Sequence, residues 1–433
     1  MLQKITYPLT ASSFSIDLNA LNNQFNRVCV FDSNTQSNDQ TFINCSKLIA
    51  IGCVQELIVK QEGTALEQLQ QFIDASKGWL FGYLSYDLKN EIEHLSSKNE
   101  DRVRFPLLHF FSPLLILEVN QESTHVHFDD LYISKAQVES TVEFLLKQET
   151  SAPAKHSIIS IQSKITKQEY LTAVESLQQH IRKGDIYEVN FCQEFYATQT
   201  MIQPVDVYNK LNAISAAPFA AYCNFGDHHL ICSSPERFLK KHKKHLMSQP
   251  IKGTIRRSVN PEEDENLKSE LQHSEKERSE NVMIVDLVRN DLSRIAERGT
   301  VKADELFGAY TFKQVHQLIS TISCEIKNEL SFTDIIRNTF PMGSMTGAPK
   351  VKAMQLIEQY EQTKRGLYSG AIGYINPQGD FDFNVVIRSI LYNQKEPYVS
   401  FMVGSAITDK ANPEQEYAEC LLKAKALFEV LEQ

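Results

Sequence analysis

The chain has 433 residues, of which 42% are hydrophobic and 23% are charged, and its formal net charge is -10. This composition is ordinary for a folded protein, so it excludes disordered and fibrous classes. The acidic balance argues against nucleic-acid binding, because that affinity depends mainly on lysine and arginine at the phosphates. A length above roughly 250 to 300 residues predicts two lobes or one layered core.

The cysteines and the N-terminus indicate the compartment. Eight cysteines are scattered without CxxC pairs or zinc-type spacing, as expected for reduced thiols. The first residues, MLQKITYPLTASS, lack the apolar run of a signal peptide, and no run of about 18 apolar residues occurs anywhere. We therefore expect a soluble, cytoplasmic protein that has neither a membrane nor a nucleic acid as partner.

The first 150 residues contain short apolar runs that are rich in aromatic and β-branched residues. Examples are RVCVFDS, GWLFGYLSYDL and LLHFFSPLLILEV. Runs of this length and composition favour buried strands. The polar stretch KQETSAPAKHS, residues 147–157, is the best candidate for a linker.

The pattern becomes clearer in the rest of the chain. Thr166 and Glu169 form a capping box at the start of a helix. Several strands follow, and residues 265–299 are predicted to be one long helical stretch, acidic at first and apolar later. After further strands, Asn412 and Pro413 begin a final helix. Antiparallel-type strands interspersed with long helices predict an α+β fold.

The stretch QPIKGTIRR, residues 249–257, contains a lysine in an unusual setting. Lys252 has apolar neighbours and is followed closely by Arg256 and Arg257. Burial and the positive potential of the two arginines would both lower the pKa of the lysine. Lys252 is therefore either a partner in a buried ion pair or an amine held partly neutral so that it can act as a nucleophile.

Acidic residues mark two helical faces. Glu277 and Glu280 share a face of one helix, and Glu416, Glu419 and Lys423 share a face of the last. Carboxylates at an apolar boundary suit Mg²⁺, which one or two carboxylates, waters and substrate oxygens typically hold. A solvated, salt-bridged surface would show the same spacing, and spacing alone does not pair one helix with the other.

Seven segments together carry a family resemblance. In chain order they are SSPERFL, PIKGTIRR, ERSENVMIVDLVRNDL, GSMTGAPKVKAM, SGAIGY, VVIRSI and EYAECLLKAKA. This ordered set resembles the chorismate-utilising enzymes, strongly over residues 160–430 and weakly in GYLSYDLKNEIE. Within that family, the lysine in PIKGT makes this chain similar to component I of aminodeoxychorismate synthases, which carry lysine at this position, whereas anthranilate synthases usually carry alanine.

The resemblance implies a reaction. The Lys252 amine would attack C2 of chorismate as the C4 hydroxyl leaves, and ammonia would then enter at C4 as the lysine is expelled. The product would be 4-amino-4-deoxychorismate, for para-aminobenzoate and folate synthesis. Mg²⁺ would be the cofactor, and a separate glutamine amidotransferase subunit would supply the ammonia. The alternatives are anthranilate synthase component I and a non-catalytic chorismate-binding protein.

The resemblance also implies a fold and a set of site residues. Two packed, largely antiparallel sheets would be flanked by helices, with residues 1–150 completing the sheets and residues 160–433 forming the chorismate-binding catalytic portion. Glu236 would be the general acid/base, although an ion pair with Arg237 is an alternative. The metal ligands would be Glu280 and Glu419, and the substrate-binding residues would be Arg388, Thr346, Gly347, Lys423, Gly370, Ala371 and Gly404. For Arg388 the alternative is a salt bridge in the core.

Three positions depart from the family pattern. Gln317 stands where many relatives have histidine, and the neighbouring His316 would face the opposite side of a strand. Glu188 replaces a glutamine that is usual in aminodeoxychorismate synthases, and it is not the water-activating lysine of isochorismate synthases. The glycine-rich loop of the family reads VGSAITD, so Ser405 and Ala406 leave less room for a close approach of a ligand to the backbone.

Overall fold

The computed structural model describes residues 2–11, 14–34, 45–147 and 159–432. Apart from Lys147, the candidate linker at 147–157 lies outside these residues. The strands are β1 (Leu2–Tyr7), β2 (Val28–Asp32), β3 (Lys47–Ile51), β4 (Gln55–Val59), β5 (Leu80–Leu84), β6 (Leu108–Ser112), β7 (Leu115–Val119), β8 (Thr124–Asp129), β9 (Gln162–Ser163), β10 (Glu188–Thr198), β11 (Phe219–Asn224), β12 (His228–Ser234), β13 (Arg237–His242), β14 (His245–Gln249), β15 (Ile251–Arg256), β16 (Lys302–Thr311), β17 (Val315–Glu325), β18 (Gly347–Ala348), β19 (Ala371–Ile375), β20 (Phe381–Val385), β21 (Ser389–Asn393) and β22 (Tyr398–Ile407).

The helices connect these strands and cover the outer faces of the sheets. They are α1 (Leu18–Gln24), α2 (Ala65–Ala75), α3 (Lys89–Glu93), α4 (Lys135–Lys147), α5 (Lys167–Lys183), α6 (Pro204–Ser215), α7 (Pro261–His273), α8 (Glu275–Ile295), α9 (Phe332–Thr339), α10 (Lys350–Tyr360) and α11 (Pro413–Glu432). Within the described ranges, no helix is both long enough and apolar enough to cross a membrane.

The strands form two antiparallel sheets. The first has 12 strands in the order β1-β8-β7-β3-β2-β11-β12-β21-β22-β10-β18, with β9 beside β10. The second has 10 strands in the order β15-β17-β14-β13-β20-β19-β5-β6-β4, with β16 beside β17. The predicted α+β fold with two packed antiparallel sheets and flanking helices is confirmed.

Side-chain alternation along the strands explains why the two sheets pack together. In β2, Cys29 faces the apolar layer shared by both sheets, whereas Val28 and Val30 face the layer beneath the helices. In β12, Ile231 likewise faces the helices while Leu230 faces the second sheet. Successive strand residues point to opposite faces, so the first sheet is buried on both sides.

The first 150 residues contribute strands to both sheets. In the first sheet β2 lies between β3 and β11, and in the second sheet β5 lies between β6 and β19. The run LLHFFSPLLILEV even supplies one strand to each sheet, β6 and β7. The chain changes sheets at Pro113, which has no N–H to donate to a ladder.

Two helix predictions have different outcomes. The capping box of Thr166 and Glu169 is present at the start of α5. The prediction of one helical stretch over residues 265–299 is wrong, because α7 ends and α8 begins at Ser274. The Ser274 side chain accepts a hydrogen bond from the N–H of Glu277, and this cap starts a new helix.

Candidate active site

A cavity of about 150 Å³ lies where β10, β15, β17 and β22 meet α8 and α11. A second cavity of about 380 Å³ shares Thr254, Gln317 and Arg388 with the first and extends towards α6. Most of the residues predicted from the sequence line the first cavity, namely Glu236, Lys252, Glu280, Arg388, Gly404, Glu419 and Lys423. The structure therefore brings together side chains that are far apart along the chain, such as Glu236 and Lys423, which are 187 residues apart.

Lys252 is aimed into this cavity by an irregularity in β15. Ile251 pairs with Ile319 and Thr254 with Gln317, so β15 has one more residue than β17 between these pairs. Such a β-bulge changes the direction of a side chain. Gly253 has a φ of +90°, and a Cβ there would lie 2.9 Å from Glu277 Oε2. The bulge and the positive φ of Gly253 thus direct the amine of Lys252 into the cavity.

The resting charge of Lys252 differs from the expectation. Its Nζ lies 2.7 Å from Glu188 Oε1, and the two side chains are 11% and 3% exposed. Burial alone would lower the pKa of the lysine, but the carboxylates of Glu188, Glu280 and Glu419 outweigh burial and raise it. Of the two alternatives open in the sequence, the structure has the buried ion pair, so the expected neutral amine is corrected to an ammonium.

The two arginines after Lys252 do not contribute the expected positive potential. Arg256 is paired with Glu263 at 2.6 Å, and Arg257 is paired with Asp264 at 2.7 Å. Both carboxylates belong to α7, which packs beside β15. Because each guanidinium is neutralised by a neighbour, neither can depress the pKa of the lysine as the sequence suggested.

Glu236 is a buried carboxyl group in the wall of the cavity. Burial raises its pKa to about 7, although a hydrogen bond from Ser344 and the charge of Lys252 oppose the rise. The Ser344 hydroxyl donates to Glu236 Oε1 at 2.6 Å. Arg237 pairs with Asp382 instead, at 2.9 Å, so the alternative of a Glu236–Arg237 pair is not realised. Near neutral pH this carboxyl group can hold or release a proton.

Arg388 lines the cavity in an unusual backbone conformation. Its φ is +51°, which is the left-handed region that few non-glycine residues adopt. Burial lowers the pKa of this guanidinium. In the part of the chain that the structure describes, its side chain has neither a salt bridge nor a hydrogen bond. The alternative of a core salt bridge is therefore not realised, and the guanidinium is available to an anion in the cavity.

Four glutamates from α8 and α11 lie around one end of the cavity, namely Glu277, Glu280, Glu416 and Glu419. Lys276 lies 4.0 Å from Glu280 and 3.8 Å from Glu416. Burial raises the pKa of Glu280 to about 7. Carboxylates from two helices thus approach each other across the cavity, and a lysine partly balances their charge.

Lys423 and Gly404 interact at the same end. Lys423 Nζ lies 2.6 Å from Glu419 and donates to the carbonyl oxygen of Gly404 at 3.1 Å. That carbonyl points away from β10, so the N–H of Gly404 points the same way. A Cβ at Gly404 would lie 2.4 Å from Cys192 Sγ. Only glycine fits this position, and its backbone N–H is directed to the open side of β22.

Four predicted substrate-binding residues are not among those that line the cavity. Thr346 is fully buried and donates its hydroxyl to the carbonyls of Met342 and Gly343. Gly347 pairs with Val189 in the first sheet. Ser344 and Met345 of the same loop line the cavity, and contacts of Thr346 and Gly347 with a substrate stay a prediction.

Gly370 and Ala371 lie in the packing between strands. A Cβ at Gly370 would be 2.2 Å from the carbonyl oxygen of Leu84, and Ala371 pairs with Leu84 in the second sheet. Neither residue lines the cavity, whereas the nearby Tyr368 does. Close strand packing therefore accounts for the motif SGAIGY, and contacts of Gly370 and Ala371 with a ligand stay a prediction.

The structure places Gln317 in the cavity wall and His316 outside it. Gln317 donates to Thr254 at 3.3 Å, and its Oε1 is buried without a hydrogen-bond partner in the described part of the chain. His316 interacts with Asp264 at 3.0 Å on the opposite face of β17. His316 therefore cannot take the place of the family histidine.

Sequence reasoning missed two features, one in the cavity wall and one behind it. One is Ser344, the hydrogen-bond donor to Glu236, which lies within the quoted GSMTG motif. The other is the buried pair of Glu361 and Arg365 at 2.6 Å, in which Arg365 also donates to the carbonyls of Met345 and Asn190. The i, i+4 spacing of this pair was a visible signal, but its burial was not.

A profile of the family described as chorismate binding enzyme matches residues 26–429. The chain belongs to the chorismate-binding enzyme family. It is an enzyme of this family, and the cavity collects most of the residues that its resemblance to the family predicted.

Individual relatives of this family differ in the reaction that their names state. A probable chloroplastic aminodeoxychorismate synthase of Oryza sativa subsp. japonica is 35% identical over 390 residues, which are 82% of this chain and 43% of that protein. Aminodeoxychorismate synthase component 1 of Bacillus subtilis (strain 168) is 33% identical over 367 residues, which are 82% of this chain and 77% of that protein. This chain thus corresponds to less than half of the rice protein and to most of the bacterial one.

A solved structure supports the same family. Anthranilate synthase component I from Streptococcus pneumoniae TIGR4 matches with a TM-score of 0.77 and 28% sequence identity, covering 88% of this chain and 91% of that one. Both kinds of chorismate-binding enzyme thus resemble this chain over most of its length. The choice between their reactions depends on individual side chains in the cavity.

Proposed function

We propose that this chorismate-binding enzyme is component I of an aminodeoxychorismate synthase. It would convert chorismate and ammonia into 4-amino-4-deoxychorismate and retain the enolpyruvyl group. The observation that carries the proposal is Lys252, whose amine is aimed by the β15 bulge into the cavity that Glu236 and Arg388 also line. The names of the rice and Bacillus subtilis relatives support the same reaction.

Each side chain has a role that follows from its position. The Lys252 amine, once deprotonated, attacks C2 of the ring. The protonated carboxyl of Glu236 gives its proton to the C4 hydroxyl, which leaves as water. Ammonia then attacks C4, the C2–N bond to the lysine breaks, and the ammonium at C4 returns a proton to Glu236. The guanidinium of Arg388 and the N–H of Gly404 hold a substrate carboxylate.

The carboxylates of Glu280 and Glu419 are proposed as ligands of Mg²⁺. Among the described residues, no group of three or more histidine, cysteine or acidic side chains is arranged to hold a metal by itself. A site of one or two carboxylates completed by water and substrate fits Mg²⁺. When bound, the ion would neutralise the repulsion between these glutamates and the ring carboxylate.

Ammonia would come from a separate glutamine amidotransferase subunit. The name of the Bacillus subtilis relative, component 1, supports an assembly with a further component. Free ammonium salts should replace that subunit in a test of the isolated chain, because ammonia itself is the nucleophile at C4.

The first prediction concerns the product. Purified protein incubated with chorismate, Mg²⁺ and ammonium should form 4-amino-4-deoxychorismate and release no pyruvate. Liquid chromatography with mass spectrometry identifies the product, and a coupled lactate dehydrogenase assay measures pyruvate. A reaction without ammonium serves as the control. Formation of anthranilate with pyruvate would assign the chain to the anthranilate synthases instead, and chorismate binding without turnover would indicate a non-catalytic protein.

The second prediction concerns Arg388. The Arg388→Gln variant should raise KM for chorismate by about 10- to 100-fold, because a charge-assisted hydrogen bond contributes about 1.5–3 kcal/mol. The kcat should change little, since the carboxylate is bound in both the ground state and the transition state. Arg289→Gln is the matched control, because Arg289 pairs with Asp286 on the exposed side of α8. An unchanged KM would show that Arg388 does not bind the substrate.

A further inference from the structure

The Glu188–Lys252 pair has a feature that an ordinary ion pair does not explain. Glu188 Oε1 accepts a hydrogen bond from Lys252 Nζ at 2.7 Å, while Glu188 Oε2 is buried and has no hydrogen-bond partner among the residues that the structure describes. A buried carboxylate normally satisfies both oxygens, because an unpaired buried acceptor destabilises the folded protein. One oxygen of this buried carboxylate is therefore left without a hydrogen-bond donor.

The chemistry proposed for Lys252 requires a proton acceptor. An ammonium has no lone pair, so the charged lysine of the resting enzyme cannot attack a ring carbon. The titratable groups that face Lys252 from neighbouring elements are Glu188, Glu236, Glu277, Glu280 and Glu419. In the described part of the chain, only Glu188 forms a hydrogen bond or salt bridge with the amine.

We propose that Glu188 is the base that removes the proton from Lys252 and returns it when the amine is released. This inference rests on the proposed function. Burial penalises both charges of the pair, and moving one proton from nitrogen to oxygen neutralises both at once. The proton has only one hydrogen bond to cross. The amide of the glutamine that is usual at this position in aminodeoxychorismate synthases could not accept it, so the base that we propose is particular to chains that carry glutamate here.

The proton balance closes over one turnover. Glu188 takes a proton from the Lys252 ammonium, the neutral amine forms a bond to C2, and the C4 hydroxyl leaves with the proton of Glu236 as water. The nitrogen attached to C2 is then a secondary ammonium. When ammonia attacks C4, the C2–N bond breaks and the lysine departs as a neutral amine. The new C4 ammonium reprotonates Glu236, and Glu188 reprotonates Lys252.

The test compares Glu188→Gln with the wild type in single-turnover formation of the Lys252 adduct. Protein, chorismate and Mg²⁺ are mixed without ammonia, quenched rapidly and analysed by mass spectrometry across about pH 6.5 to 8.5. At pH 7 the variant should be slower by about 10²- to 10⁴-fold, as for loss of a general base. The ratio of variant to wild-type rates should rise about tenfold for each pH unit, because solvent must then deprotonate the lysine. Taking the ratio cancels the titration of Glu236, which both proteins share.

Glu188→Asp is the matched variant. It keeps a carboxylate, so its rate ratio to the wild type should stay flat with pH even if the longer distance slows the reaction. A flat ratio for Glu188→Gln, or a rising ratio for both variants, would overturn the role of Glu188 as base and leave the proposed function standing. If the wild type forms no adduct, the proposed function fails, and the inference fails with it. Thermal unfolding of each variant verifies that it is folded.

Discussion

The Lys252→Ala variant is expected to form no covalent adduct. Its synthase activity should fall by more than about a thousandfold relative to the wild type, as is typical when an enzymatic nucleophile is removed. The reason is that no other amine is placed on the β15 bulge, so the C2–N bond cannot form. Rapid quenching of the wild type should give a protein mass increased by one chorismate less one water. The variant should retain its unmodified mass at every time point.

A charged variant separates the loss of the nucleophile from the loss of the ion pair. Lys252→Ala leaves the buried carboxylate of Glu188 without its cation, and breaking a buried pair in this way typically costs about 3–5 kcal/mol of stability. Lys252→Arg keeps a cation beside Glu188, but a guanidinium stays protonated and is not a nucleophile. Both variants should lack the adduct, and Lys252→Arg should be the more stable in thermal unfolding. Full activity in either one contradicts the covalent route.

The Glu236→Gln variant is expected to lower kcat by about 10²- to 10⁴-fold, as for loss of a general acid. Because burial raises the pKa of Glu236 to about 7, the acid form is present below that pH and is lost as the pH rises through it. The wild type should therefore lose kcat/KM as the pH increases above about 7. This alkaline limb should be absent from the residual activity of Glu236→Gln.

Ser344→Ala provides a matched control for the assignment of that limb. The hydrogen bond from Ser344 lowers the pKa of Glu236, so its removal should move the alkaline limb to higher pH. Steady-state kinetics from about pH 6 to 9 measure both variants. An alkaline limb that stays in place in Glu236→Gln would mean that another group is the acid.

The sequence was sufficient for the fold class and for the most polar part of the site. Short apolar runs rich in aromatic and β-branched residues mark the strands, and the motifs around Lys252, Arg388 and Glu419 converge on one cavity. These predictions succeeded because each depends on a local pattern or on a complete ordered set of motifs.

The errors arise where a side chain's direction or partner depends on distant residues. The charge of Lys252 is set by Glu188, which lies 64 residues away along the chain. Arg256 and Arg257 follow the lysine closely in the sequence, yet α7 supplies carboxylates that neutralise them. The family resemblance placed Gly370 at the ligand, whereas in the structure the close neighbour of Gly370 is the backbone of β5. Spacing in one sequence does not contain this information.

The position of β5 has a consequence for how the protein matures on the ribosome. Its residues Leu80–Leu84 pair with Ala371–Ile375, so the second sheet cannot close until Ile375 has emerged. Pairings this remote close slowly, because chain entropy is lost before the contacts form. Leu80 and Phe81 and their fully buried neighbours would meanwhile remain open to solvent. We expect nascent chains to need protection from aggregation during this interval, and splitting the gene after the first 150 codons would separate partners that must be joined within one sheet.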